Sequence, residues 1–161
     1  MYPAPDLEHK LCEPSLIAAR LKTLPRPRVF TNGCFELLHR GHVTYLAQAR
    51  ALGASLIVGV NSDASVKRLN KGSGRPLNSL QDRMAVVAAL GSVSLVTWFD
   101  EDTPLALILS CSPDILVKGG DWKVENIVGA KEVSDWGGKV YSLPFTYERS
   151  TTALLAKIRE A

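Results

Sequence analysis

Short apolar runs alternate with stretches of helical spacing along most of the chain. Continuous apolar runs of this length are typical of strands that are buried on both faces of a sheet. The runs that predict strands occupy residues 29–31, 56–60, 93–96, 115–117 and 139–143. Apolar residues at helical spacing lie within residues 43–50, 80–88, 105–109 and 154–158. The alternation predicts an α/β fold with one doubly wound, parallel five-stranded sheet and helices on both faces.

Length and composition add limits to this picture. A chain of 161 residues corresponds to one domain. We expect residues 1–27, which hold five of the nine prolines and one short helical pattern, to form an N-terminal extension. Residues 28–161 then form the main domain. The net charge of +3 is too small for a nucleic-acid surface, but it allows a local pocket for a small polyanion.

The apolar runs and the cysteines indicate the compartment. Every apolar run is far too short to cross a membrane. Cys12, Cys34 and Cys111 are widely spaced and form no C-x-x-C pair. This pattern favours free thiols and a cytoplasmic protein.

The loop after the first predicted strand carries the strongest candidate chemistry. It reads Asn32, Gly33, Cys34, Phe35 and Glu36, and it then leads into His39, Gly41 and His42, where helical spacing begins. Two histidines three residues apart share one face of a helix, and the N-terminus of a helix favours an anion. The alternatives are a capping histidine beside a partly buried one, or a metal site formed with Cys34. The phosphate-binding P-loop, the dinucleotide-binding glycine fingerprint and the serine nucleophile elbow are all missing from the sequence.

These residues resemble a known family. The NGCF run at residues 32–35, followed by HRGH at residues 39–42, is similar to the first signature of the H-x-G-H nucleotidyltransferases, a superfamily of cytidylyltransferase-like enzymes with a Rossmann-like sheet. RSTT at residues 149–152 resembles the second signature, a Ser/Thr-rich helix start. KGGDW at residues 118–122 and IVGAKEV at residues 127–133 resemble the branch that adenylylates a heptose 1-phosphate, in its stand-alone form. A cytidylyltransferase acting on glycerol 3-phosphate or a similar small ester, and a non-catalytic nucleotide sensor, are the alternatives.

The resemblance implies a role for each matching residue. His39 and His42, together with Lys71, are expected to be catalytic and to bind phosphate oxygens. The residues expected to bind the nucleotide are Asn32, Gly33, Cys34, Phe35, His39, Gly41, His42, Arg83, Gly120, Asp121, Arg149, Ser150, Thr151 and Thr152. Those expected to bind the acceptor are Glu36, Lys71, Asp121 and Trp122. The structural alternatives are an ordinary N-cap at the last helix, solvated basic side chains, and a core tryptophan.

The resemblance also implies cofactors and partners. ATP and a sugar 1-phosphate are the expected substrates, and Mg²⁺ is expected to arrive with the nucleotide rather than on protein side chains. Neither a nucleic acid nor a membrane is expected as a partner. A homodimer or a higher homo-oligomer is expected because soluble enzymes commonly form one.

Overall fold

Five parallel strands form the centre of the molecule. The computed structural model describes residues 3–4, 6–70, 72, 74–147 and 151–160. The strands are β1 (Arg28–Gly33), β2 (Ser55–Asn61), β3 (Leu95–Phe99), β4 (Ile115–Gly119) and β5 (Lys139–Leu143). Their order across the sheet is β3-β2-β1-β4-β5. The order therefore reverses between β1 and β4, and the carboxyl ends of these two strands form the crevice where α/β sheets bind ligands.

Helices connect the strands and cover both faces of the sheet. They are α1 (Ile17–Leu21), α2 (Arg40–Arg50), α3 (Asp63–Arg68), α4 (Leu80–Ala88), α5 (Leu105–Cys111), α6 (Ala130–Asp135) and α7 (Thr151–Arg159). Ser62 and Ser79 cap α3 and α4, because their hydroxyls accept the N–H groups of Ser65 and Asp82. None of the helices in the described ranges is long and apolar enough to span a bilayer. The predicted doubly wound α/β fold is confirmed.

Alternating side chains of the strands pack into two cores. Val29 and Val58 face one side of the sheet and pack with Leu46 of α2. Phe30 faces the opposite side and packs with Ile108 of α5. Because side chains alternate along a strand, the two faces of β1 lead to two different layers of helices. Burying each of these side chains contributes about 1.5–3 kcal/mol.

The N-terminal segment packs against the main sheet. Leu11 forms a parallel bridge with Val96, and the backbone N–H of Cys12 donates to the Val96 carbonyl at 2.9 Å. Ile17 and Leu21 are buried in the same core as Phe30. The short helical pattern of this segment forms α1, and the segment contributes apolar side chains to the core of the domain.

The third strand differs from its predicted position. The apolar run predicted a strand over residues 93–96, whereas β3 spans Leu95–Phe99. Val93 is buried, but its N–H donates to the Leu90 carbonyl at 3.1 Å, in the turn that follows α4. The prediction was wrong here because a core side chain in a turn has the same apolar signal as a strand residue.

Candidate active site

The two histidines of the motif stack on each other where α2 begins. Their ring centroids are 3.8 Å apart, and the ring planes differ by 19°. His39 is the N-cap of α2, and its Nδ1 accepts the backbone N–H of His42 at 3.4 Å. Because Nδ1 accepts, the neutral His39 ring carries its proton on Nε2, which becomes the donor atom of this ring. His39 can thus cap the helix and donate to a phosphate at the same time.

The environment of His42 favours its neutral form. Burial, followed by the charge of neighbouring His39, lowers the pKa of His42 to about 4, while the Leu37 carbonyl opposes the shift. Nδ1 of His42 is buried and has no hydrogen-bond partner within the described residues. A buried nitrogen without a partner costs about 1–3 kcal/mol, and groups of this kind occur at functional sites. A polyphosphate bound at this helix end would place negatively charged oxygen atoms beside the two histidine rings, and these oxygens can accept hydrogen bonds from the rings.

Phe35 shapes the turn between β1 and α2. Its φ of 49° is left-handed, which is unusual for a large side chain and is a form of strain found at functional sites. The ring is buried and packs edge-on against His42, with centroids 5.4 Å apart. A Cβ on Gly33 would lie 3.0 Å from this ring. The absence of a side chain at Gly33 therefore allows Phe35 to lie behind His42.

Gly41 allows the His39 ring and the Tyr147 carbonyl to approach the backbone closely within the same turn. A Cβ at this position would lie 3.1 Å from the His39 ring and 3.1 Å from the Tyr147 carbonyl oxygen. The guanidinium of Arg40 lies 3.7 Å above the centre of the Tyr147 ring. These contacts hold the end of the loop after β5 against the first turn of α2. The space beside Gly41, one of the residues predicted to bind the nucleotide, is filled in this structure by His39 and Tyr147.

Tyr45 fixes α2 to the sheet. Its hydroxyl lies 2.6 Å from the Thr31 hydroxyl in β1 and donates to the Val117 carbonyl in β4 at 3.3 Å. Its ring packs edge-on against Phe145, with centroids 5.6 Å apart. The helix that carries the histidines is therefore tied to both strands that flank the crevice.

A buried ion pair connects three distant segments. The Glu36 carboxylate, after β1, pairs with the guanidinium of Arg75. The backbone N–H of Leu77 donates to the other Glu36 oxygen at 3.2 Å, and Arg75 donates to the Thr152 hydroxyl in α7 at 3.3 Å. Both Glu36 oxygens are therefore occupied by protein donors, rather than directed at an acceptor as the sequence predicted. In this structure Glu36 holds Arg75 against the first turn of α7.

Arg83 occupies a different place from the predicted one. Its side chain is fully buried, and its guanidinium donates to the carbonyls of Asn78, Cys34 and Asn61 at 3.1, 2.6 and 2.8 Å. It also pairs with Asp63 at 2.7 Å. The guanidinium is thus directed into the protein rather than toward a phosphate. Arg83 ties the loops after β1 and β2 to the segment that precedes α4.

A pocket of about 320 Å³ opens at the crevice between β1 and β4. We call it the switch-point pocket. Its polar lining includes Asn32, Asn61, Asp102, Lys118, Trp122 and Asn126. Its apolar lining includes Leu69, Pro104, Ile127 and Val128. Gly33 and Cys34 also line it, so the pocket adjoins the turn that leads to the histidines.

The loop after β4 forms one rim of this pocket. Gly120 has a left-handed φ of 109°, and Asp121 is exposed. Trp122 is 50% exposed, and its indole N–H donates to the Gly119 carbonyl at 3.1 Å. Trp122 is therefore a rim residue and not the core tryptophan of the alternative interpretation.

Three predicted phosphate-binding residues, Lys71, Arg149 and Ser150, lie outside the described residues. Thr151 and Thr152 begin α7. Within the described ranges, no three or more His, Cys, Asp and Glu side chains are grouped to hold a metal ion. Cys34, His39 and His42 therefore do not form the metal site considered as an alternative, and the Cys34 sulfur lies 3.8 Å from the Asn61 amide oxygen.

Sequence reasoning missed two basic residues of the site. Arg75 lies in a glycine-rich loop beside several other cations, and the sequence contains no signal that pairs it with Glu36. Lys118 belongs to the KGGDW run, but its approach to Asn32, with Nζ 3.3 Å from the amide oxygen, depends on the pairing of β1 with β4. The polar end of a strand beside the sheet reversal was the signal that could have found Lys118.

A doubly wound sheet whose first strand leads into two stacked histidines at a helix N-terminus defines a nucleotidyltransferase domain. The chain belongs to the cytidylyltransferase-like family, whose family model matches residues 30–155.

Relatives of the chain include a protein named for activity on a sugar phosphate. The D-beta-D-heptose 1-phosphate adenylyltransferase of Bordetella bronchiseptica is 60% identical over 137 residues, which cover 85% of each chain. The bifunctional protein HldE of Pseudomonas paraeruginosa is 60% identical over 132 residues, and the match spans 82% of this chain but 28% of that protein. A solved structure, the lipopolysaccharide core biosynthesis protein from Thermoplasma volcanium, is 26% identical with a TM-score of 0.60, over 76% of this chain and 98% of that chain.

Proposed function

We propose that this protein transfers the adenylyl group of ATP to D-glycero-β-D-manno-heptose 1-phosphate. The products are pyrophosphate and ADP-heptose, a precursor of the lipopolysaccharide core. The observation that carries the proposal is the 60% identity, over 85% of both chains, to the heptose 1-phosphate adenylyltransferase. This identity favours adenylyl transfer over the alternative of cytidylyl transfer to glycerol 3-phosphate.

The chemistry of this reaction fits a site without a strong base. The acceptor is a phosphate monoester whose second pKa is near 6, so it is largely a dianion at neutral pH. One of its oxygens forms a bond to the α-phosphorus of ATP, and pyrophosphate leaves with the electron pair of the bond that breaks. Since no proton has to move, catalysis consists of aligning two polyanions and stabilising the charge that develops.

The stacked histidines are suited to that second task. Nε2 of His39 and the ring of His42 donate hydrogen bonds to the α- and β-phosphates in the proposed complex. Phe35 and Tyr45 hold the rings and their helix in place, so the donors are oriented before the substrate arrives. Removing one preorganised donor of this kind costs roughly 3–4 kcal/mol of transition-state stabilisation.

The start of α7 is the proposed site of the β- and γ-phosphates. The hydroxyls of Thr151 and Thr152 and the N–H groups of the first turn are typical phosphate ligands. Arg75 supports this assignment, because its guanidinium donates to Thr152 and brings a cation to the same helix end. Lys71, Arg149 and Ser150 stay predicted ligands of the phosphates.

The acceptor is proposed to occupy the switch-point pocket. Trp122 offers an indole face at its rim, while Asp121 is an exposed carboxylate in the same loop. Mg²⁺ enters as its complex with ATP and is therefore part of the substrate. A homo-oligomeric state and a cytoplasmic location stay predictions.

Pyrophosphate release tests the proposed function. Four mixtures with Mg²⁺ combine ATP or CTP with heptose 1-phosphate or glycerol 3-phosphate. We expect release with ATP and heptose 1-phosphate alone. Release with CTP alone would contradict the proposed nucleotide, and an active mixture of ATP with glycerol 3-phosphate would contradict the proposed acceptor.

A further inference from the structure

We propose that Lys118 binds the phosphate group of the acceptor inside the switch-point pocket, and that Asn32 positions its ammonium group. This inference rests on the proposed function, because it assigns one end of the acceptor to named side chains. It adds Lys118 to the predicted acceptor-binding residues, Glu36, Lys71, Asp121 and Trp122.

The strand register brings the two residues together. Val29 and Phe30 of β1 pair with Ile115 and Leu116 of β4, so the same register places Asn32 opposite Lys118. Nζ of Lys118 donates to the amide oxygen of Asn32 at 3.3 Å. An ammonium group has three N–H donors and can hold an amide oxygen and a phosphate oxygen together. The hydrogen bond to the amide oxygen directs the ammonium group toward the pocket that both residues line.

The end of β4 brings an ammonium group to the pocket. Lys118 is the one cationic side chain among the described residues that line the switch-point pocket, and Asp102 is the one carboxylate. Nε of Arg68 donates to Asp102 at 2.6 Å, so this carboxylate is balanced by an arginine. Among the described lining residues, the end of β4 is therefore where an anion that enters the pocket meets an ammonium group.

The size and remaining chemistry of the pocket fit a sugar phosphate. A volume of about 320 Å³ is at the small end of the range for ligand pockets. Asn126, Asp102 and Thr103 supply amide, carboxylate and hydroxyl groups that can bond to sugar hydroxyls, and Trp122 supplies a flat apolar face. A small polyhydroxylated ester matches this lining better than a triphosphate.

The switch-point pocket and the histidines lie toward opposite faces of the sheet. By alternation, Asn32 shares a sheet face with Phe30, and Lys118 shares that face with Leu116, on the side of α5. The histidines lie on α2, which packs against the opposite face. The acceptor phosphate on Lys118 and the triphosphate beside the histidines thus approach each other across the end of β1.

Steady-state kinetics with both substrates test the assignment. Lys118→Ala should raise KM for heptose 1-phosphate about 10- to 100-fold, which corresponds to a lost charged hydrogen bond, and should change KM for ATP less than about twofold. Lys118→Arg should recover part of the loss. Lys131→Ala is the matched control, because Lys131 is an exposed lysine of α6 that pairs with Asp135, and it should leave both KM values unchanged. An unchanged KM for the acceptor, or a larger effect on ATP, would overturn the proposal.

A double-mutant cycle tests the role of Asn32. Asn32→Ala should raise KM for the acceptor without lowering the melting temperature, and it should add little when Lys118 is already alanine. Additive effects of the two changes would show that Asn32 does not act through Lys118.

A binding measurement separates this inference from the proposed function. With the nucleotide site filled by magnesium and α,β-methylene-ATP, ³¹P NMR line broadening reports the binding of inorganic phosphate to the remaining site. Binding by the unchanged protein and its loss in Lys118→Ala would support the inference even if heptose 1-phosphate were not turned over. Equal binding by both proteins, or none by the unchanged protein, would overturn it. Failure of the proposed function would instead appear as absent turnover of heptose 1-phosphate by the unchanged enzyme.

Discussion

Replacing Arg83 by methionine should destabilise the fold rather than weaken phosphate binding directly. The guanidinium is fully buried and makes four hydrogen bonds, one of them to a carboxylate. Methionine leaves the carbonyls of Cys34 and Asn61 without their donor, and water can restore the partner of the half-exposed Asp63. Breaking a buried charged network of this kind costs about 3–5 kcal/mol. For a domain of this size, we expect the melting temperature to fall by roughly 10 °C.

Urea unfolding and steady-state kinetics together decide this prediction. Arg26→Met is the matched control, because Arg26 also pairs with a carboxylate, Asp114, but its side chain is 57% exposed. An exposed pair is worth about 0–1 kcal/mol, so this control should unfold nearly as the unchanged protein does. Arg83→Met should show the large loss of stability. A loss below about 1 kcal/mol, combined with a KM for ATP raised tenfold or more, would refute the structural role and support a phosphate contact.

Three further predictions concern the histidines and the metal. His39→Ala and His42→Ala should each lower kcat at least a hundredfold, and retained activity in both variants would reject the site. His39→Ala should also lower the stability by about 0.5–2 kcal/mol, because it removes the N-cap of α2. The pKa of His42 is about 4 in the fold and 6.5 in the unfolded chain, so the unfolded chain binds a proton first and stability should fall as pH drops from about 6.5 to 4. Urea midpoints across this range check the decline, which His42→Gln should reduce, and an identical pH profile in that variant would contradict the assignment. A chelator should stop pyrophosphate release and added Mg²⁺ should restore it, whereas full turnover in the chelator would disprove the need for the metal.

Local patterns in the sequence predicted the parts of the site that are local in the structure. His39, Gly41 and His42 lie within one turn of helix, and a strand-to-helix transition around them can be read from residue spacing. The ion pair of Glu36 with Arg75 spans 39 residues, and the contact of Lys118 with Asn32 spans 86. Contacts over such distances depend on strand order and register, which apolar runs do not specify.

Burial of charged side chains was equally hard to foresee. A cation between apolar residues of a helix, such as Arg83, is consistent with a solvated face, a phosphate ligand or a buried connector. The structure selects the third, because the carbonyls that surround the guanidinium come from three separate segments of the chain: the end of β2, the loop after β1 and the segment before α4. The five strands were easier to predict, because continuous apolar runs of the parallel sheet report burial on both faces.

The bridge between Leu11 and Val96 has a consequence for association. β3 is an outer strand of the sheet, and an outer strand presents backbone N–H and carbonyl groups on which another chain can assemble. The backbone N–H of Cys12 donates to the carbonyl of Val96, near the start of the outer side of this strand. The residues ahead of the first strand thus act as a built-in guard against edge-to-edge aggregation, independent of anything that happens at the nucleotide site.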